Sequence, residues 1–154
     1  NVIWHTCDVR AVECAVSSLH NTGDFLELSS SIQHKYDVII TNPPFSMAFD
    51  FIKASLPIAK NVVMLLRLGF LESDGRNEWI RHNMPDYIYV LPNRQGGTSD
   101  GKTDVFTYGW FHWKPYFNNG RLQPTAASTT VVLPSTPIEE RKQDRISLAS
   151  PQKL

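Results

Sequence analysis

The sequence predicts an α/β fold with a mainly parallel sheet, and three observations point to it. Apolar runs of strand length, Tyr36 to Thr41 and Asn61 to Leu68, are separated by segments whose apolar residues recur at helical spacing. These runs are nearly continuous rather than alternating, as in strands buried on both faces of a parallel sheet. Later, two strand-like stretches, Tyr87 to Leu91 and Val105 to Trp113, are joined by a Gly/Asn/Ser/Asp-rich loop, the pattern of an antiparallel hairpin closing one edge.

In chain order, Val2 to Cys7 reads as the first strand, with Asp8 at its carboxyl end. Ala11, Val12, Ala15, Val16 and Leu19 then recur at helical spacing, so Val9 to Leu19 is expected to be a helix. Asn21-Thr22-Gly23 breaks it, and Asp24 to Leu28 is a short strand or turn. The β-branched strand Tyr36 to Thr41 ends at Asn42-Pro43-Pro44, because neither proline can donate to a ladder. Ser46 can cap a helix through Phe49, Ile52, Lys53 and Leu56, with Pro57 near its end. Asp74 to Asn83 is a second helix with Trp79 and Ile80 facing the core, stopped by Met84-Pro85. On the strand Val105 to Trp113, the aromatics Tyr108, Trp110, Phe111 and Trp113 suit a core better than a base-stacking platform. From Lys114 onward prolines, serines and threonines show no period. Residues 1–116 are therefore expected to form the domain and 117–154 a disordered or loosely packed tail, in which Thr129 to Leu133 can pair as a short strand.

A chain of 154 residues, 42% of them apolar, is long enough for one core and short for two. The longest uncharged apolar run, Val62 to Leu66, falls far below the roughly 20 residues needed to cross a bilayer. The N-terminus has neither an initiator Met nor a signal peptide and opens in strand-like sequence, so the chain is expected to be part of something longer. Cys7 and Cys14 match neither a CxxC pair nor a zinc knuckle, which fits a reduced, cytoplasmic protein. The histidines His5, His20, His34, His82 and His112 are scattered, and no metal site is expected. Net charge is zero, which argues against binding nucleic acid by bulk electrostatics; any grip on DNA has to come from local patches.

The informative stretch is Asp37-Val38-Ile39-Ile40-Thr41-Asn42-Pro43-Pro44-Phe45. Asn42 and Pro43 each precede a proline, which drives both into extended dihedrals and leaves their carbonyls without helix partners. At the carboxyl end of a strand in an open α/β sheet, such a turn presents polar groups to the crevice where ligands bind. The chemistry it suits is methyl transfer to an exocyclic amino group, whose nitrogen lone pair is delocalised into its ring. An Asn oxygen and the next carbonyl can each accept one amino hydrogen, favouring a tetrahedral nitrogen whose lone pair faces the methyl donor. Phe45 would supply a stacking face, because a base inside a duplex must be flipped out at a cost of a few kcal/mol. An Asn-Pro turn alone is common after strands; a strand ending in Asn-Pro-Pro-aromatic and opening a helix is not.

These residues resemble motif IV of the class I S-adenosylmethionine-dependent N6-adenine DNA methyltransferases, Asp/Asn/Ser-Pro-Pro followed by Tyr, Phe or Trp, matched at Asn42, Pro43, Pro44 and Phe45. Arg67-Leu68-Gly69-Phe70-Leu71 with Arg76, and the loop into Thr103-Asp104 and Trp110-Phe111-His112-Trp113, are similar to phage and prophage enzymes of that family. The resemblance spans roughly Val2 to Trp113 and implies a Rossmann-like sheet, with Asn42, Pro43, Pro44 and Phe45 catalytic, S-adenosyl-L-methionine as cofactor and DNA with a flipped-out adenine as substrate. It further implies that Asp8 bonds the cofactor ribose and that Asp24 and Phe25, after Gly23, contact its adenine, although aspartates after strands are also ordinary caps and turn formers. The family's Gly-rich loop should lie before Asp8, yet no GxG occurs in the chain. The first strand and its loop are thus expected to be missing, and this chain alone to bind cofactor weakly and be inactive. Arg67, Arg94 and Lys102, with Lys114, are expected phosphate contacts near the flipped base, or simply solvated cations. Two other readings remain open: methylation of a protein glutamine or RNA amino group, and a methyltransferase-like remnant without turnover.

Overall fold

The structure is a computed structural model, described for residues 2–11, 19–33, 36–92, 106–118, 121–122 and 127–135. It is α/β. In chain order the elements are β1 (His5–Asp8), β2 (Leu19–Thr22), α1 (Phe25–Ser29), β3 (Ile39–Thr41), α2 (Ala48–Ser55), β4 (Val62–Arg67), α3 (Asp74–His82), β5 (Tyr87–Val90), β6 (Tyr108–Trp113), β7 (Phe117–Asn118), β8 (Arg121–Leu122) and β9 (Thr129–Val132). Single 3-10 turns follow α2 (Leu56–Ile58) and β4 (Leu68–Glu72).

The main sheet has the order β3-β4-β6-β5-β9. β3 runs parallel to β4, β6 antiparallel to both β4 and β5, and β9 parallel to β5, so only β6 opposes the other four. β1 and β2 form a separate parallel pair, and β7 pairs with β8.

The registers explain where the core sits. Val62 faces Trp113 and Met64 faces Phe111, while Ile88 faces Phe111 from the other side, so these side chains share one face of the sheet. Against that face α2 lays Ala48 and Ile52, the turn that follows it adds Leu56, and α3 contributes Ile80, which completes the buried cluster. Ala48, Ile52 and Leu56 recur at helical spacing because only one stripe of α2 meets the sheet.

The helix Ala48–Ser55 confirms the expected periodicity, but Ser46 does not cap it: the cap position is Met47, which makes no side-chain bond. The expected hairpin of β5 and β6 is present without being the sheet's edge, because β6 inserts between β4 and β5 and β9 occupies the edge. Thr129 to Val132 does pair as a strand. Two further expectations fail. Asp24 to Leu28 is neither strand nor turn but opens α1, nucleated when Asp24 Oδ1 accepts the Leu26 amide at 2.8 Å. Leu19 to Thr22, read as a helix end and a breaker, is strand β2, because pairing with β1 overrides the weak strand propensity of Asn21 in that run. Most of the expected first helix, 12–18, lies outside the described residues.

Among the described residues no helix is long and apolar enough to cross a membrane.

Candidate functional site

β3 leaves the sheet at Thr41 and passes directly into Asn42-Pro43-Pro44. Pro43 is buried, whereas Asn42, Pro44 and Phe45 are exposed. The Pro44 carbonyl accepts the Met47 amide at 2.9 Å, and the Met47 carbonyl accepts those of Asp50 and Phe51 at 3.0 Å each. Backbone bonds alone thus carry the turn into α2. Among the described residues nothing hydrogen-bonds the Asn42 side chain or the Pro43 carbonyl. Both acceptors of the predicted pair are therefore unspent.

Beside this turn lies a cavity of about 330 Å³ lined by Phe45, Ala48, Leu66, Arg67, Gly69 and Phe70, with Glu72, Arg76 and Phe106 completing the wall. β3 and β4 are parallel, so their carboxyl ends deliver Asn42 and Arg67 to the same side of the sheet. The Arg67 guanidinium lies over two aromatic faces, 3.9 Å from the Phe106 ring centre and 4.5 Å from that of Phe45, and its Nε donates to the Tyr108 hydroxyl at 3.2 Å. Tyr108 also touches Phe45, their ring centres 5.6 Å apart. The guanidinium of the second cation, Arg76, covers Phe70 at 4.5 Å, and its Nη2 donates to the Phe70 carbonyl at 3.1 Å.

The residues expected to hold the cofactor are brought together but are already engaged. Gly23 donates its amide to the Asp8 carbonyl at 3.0 Å, which sets the ends of β1 and β2 side by side. Arg10 binds the Asp8 carboxylate through its backbone amide at 2.9 Å and its guanidinium at 3.1 Å, and this contact holds the carboxyl below its ordinary pKa. Asp24 caps α1. Phe25 stacks on Phe51 of α2 with ring centres 5.2 Å apart, linking the turn after β2 to the helix that follows the Asn-Pro-Pro turn. Between the two aspartates, burial and then the charges of Asp8 and Asp24 raise the Cys7 thiol pKa, so this free cysteine is a poor thiolate. Asp8, Asp24 and Phe25 as they stand do not make a complete site for S-adenosylmethionine: each is committed to a local contact, and no Gly-rich loop is in the sequence.

Arg94 and Lys102 lie outside the described residues. Lys114 is exposed, its ammonium 4.7 Å from the Tyr87 ring centre, well along β6 from Arg67. Among the described residues no group of three His, Cys, Asp or Glu side chains gathers as a metal site. Sequence reasoning missed Phe106 and Glu72 as parts of the cavity wall and the Tyr108 hydroxyl as the acceptor for Arg67. The spacing of two between Phe106 and Tyr108 was the available signal, because it puts both on one side of the strand entering the sheet. No protein-family model matches the chain, and no curated protein is similar to it.

Proposed function

We propose that this chain carries the acceptor-side half of an S-adenosylmethionine-dependent methyltransferase acting on the N6 amino group of adenine in DNA. One observation carries the reading: an exposed asparagine and the following proline carbonyl, both without a hydrogen-bond partner among the described residues, lie in the turn that leads from a parallel strand to Phe45 on the wall of an aromatic-lined cavity. An amino group held by these two oxygens keeps its lone pair free for the methyl, and consecutive prolines restrict the backbone at Asn42 and Pro43 before the substrate arrives. Phe45, 41% exposed, offers the adenine a stacking face.

In this reading β1–β2 and the main sheet are parts of one Rossmann-like sheet that lacks a strand between β1 and β3. Support comes from the outer edge of β3, where no strand pairs among the described residues, and from Val38 and Ile40 beside it, whose side chains are left 54% and 52% exposed. The methyl donor is S-adenosylmethionine; Asn42 and the Pro43 carbonyl orient the acceptor amine, and Arg67 supplies positive charge for the DNA backbone.

The test is methyl transfer by the protein expressed from its complete reading frame, with radiolabelled S-adenosylmethionine offered alongside duplex DNA, RNA and a glutamine-bearing release factor. Label is expected in DNA adenine. Asn42→Ala should lower the rate by about 10²–10³-fold, the cost of deleting one polar group aimed at the transition state, without changing the melting temperature, since Asn42 is exposed. Label in RNA or protein instead, or full activity in Asn42→Ala, would overturn the proposal.

A further inference from the structure

Arg67 occupies the surface that the proposed reaction requires to be vacant. Its guanidinium is planar and delocalised and stacks on aromatic rings as a nucleobase does. It lies 4.5 Å from the centre of Phe45, the aromatic that ends the Asn-Pro-Pro-Phe motif, and 3.9 Å from that of Phe106. Phe106 is itself 46% exposed, so the pair of rings forms an open aromatic clip at the mouth of the cavity. The clip's occupant is attached to the chain by a long flexible stem, and its Nε donates a hydrogen bond to the Tyr108 hydroxyl at 3.2 Å. Arg76 lies over Phe70 in the same wall and donates to a backbone carbonyl.

We propose that Arg67 is a placeholder: it fills the aromatic clip of the free protein in place of a planar base and is expelled when the base enters, its freed guanidinium then pairing with the phosphate of the same nucleotide. The identity of the base as adenine rests on the methyl-transfer reading; the exchange itself rests on the ring geometry. The exchange serves a purpose. Two aromatic faces left bare would invite any apolar partner, and a guanidinium moved from the rings to a phosphate gains a charge-assisted, bidentate contact there. The nucleotide's own phosphate thus compensates for opening the clip, so the site favours a nucleotide over an uncharged ring.

Adenosine and adenosine monophosphate separate the two halves of the exchange, and neither needs cofactor, duplex DNA or turnover. Binding is read by ligand-detected NMR on wild type, Arg67→Met and Tyr108→Phe. With its competitor gone, Arg67→Met should bind adenosine more tightly than wild type by roughly three- to thirtyfold, the range of one cation–π contact, and should lose the wild-type preference for the monophosphate. Tyr108→Phe keeps the ring and removes only the hydroxyl that steadies Arg67, so it should move adenosine affinity in the same direction while retaining the monophosphate preference. Weaker or unchanged adenosine binding in both variants, or no binding of either ligand to any of the three proteins, would refute the placeholder. Loss of methyl transfer with the exchange intact would instead count only against the reaction assigned above.

Discussion

His112 shows how a single side chain ties stability to pH. Its Nε2 is 3.0 Å from Asn61 Oδ1, and because Asn61 Nδ2 already donates to the Asp37 carbonyl at 3.0 Å, the histidine is the donor in this pair. Burial is the main cause that lowers its pKa, Lys114 adds to the effect and Asp86 opposes it. A histidine with a depressed folded pKa prefers to be neutral when folded. Above its ordinary value of 6.5 both states are neutral and the contribution is complete; as pH falls below that, the unfolded chain takes up a proton first and stability is lost until the folded pKa is passed. Urea denaturation between pH 8 and pH 5 should show this decline, and His112→Gln should flatten it; an equal decline in the variant would mean that other groups cause it. Asn42, Phe45 and Arg67 were legible in the sequence because a double proline after a strand and a cation ending an apolar run are local signals. The engagement of Asp8 by Arg10 was not, since an aspartate after a strand looks the same whether it waits for a ligand or closes its own turn.

Among the elements, β6 is the one whose place depends most on a small residue. Gly109 lies opposite Leu66 on one side and Val90 on the other. A Cβ built there would meet the Tyr89 carbonyl oxygen at 3.1 Å and Leu68 Cδ2 at 3.3 Å. The carbonyl belongs to the backbone of a paired strand and has little room to yield, so Gly109→Ala is expected to cost about 1–3 kcal/mol, the usual range for overpacking. Thermal melts check this; a variant as stable as wild type would show that β5 can shift away. The strands β4, β5 and β6 and the helices α2 and α3 were readable because each carries a period or run long enough to stand out. The central position of β6 was not, because a hairpin's sequence fixes which two strands are antiparallel but says nothing of a third strand taking the other edge. α1 was missed for a related reason: five residues are too few to show a helical period, and one capping hydrogen bond decided the outcome.

At the scale of the whole molecule the fold is uneven. The main sheet buries Val62, Met64, Leu66 and Phe111 almost completely, and α2 covers them. The β1–β2 pair has no fully buried residue; the edge of His5 meets Tyr36 at 5.5 Å, and α1 beside the pair meets α2 through Phe25 on Phe51. Local opening free energies range from near zero up to that of global unfolding, and they track buried apolar contact. Native-state hydrogen exchange should therefore find the amides of β4 and β6 opening only with the whole molecule, and those of β1 and β2 exchanging at least roughly 100-fold faster through a separate opening. Phe25→Ala tests the coupling directly, because Phe25 stacks on α2 without joining the buried cluster. It should speed exchange in β1 and β2 further while leaving β4 and β6 unchanged. Equal protection across all four strands, or equal loss of it in the variant, would mean that the two sheets unfold as one unit and that the open edge of β3 does not divide the molecule.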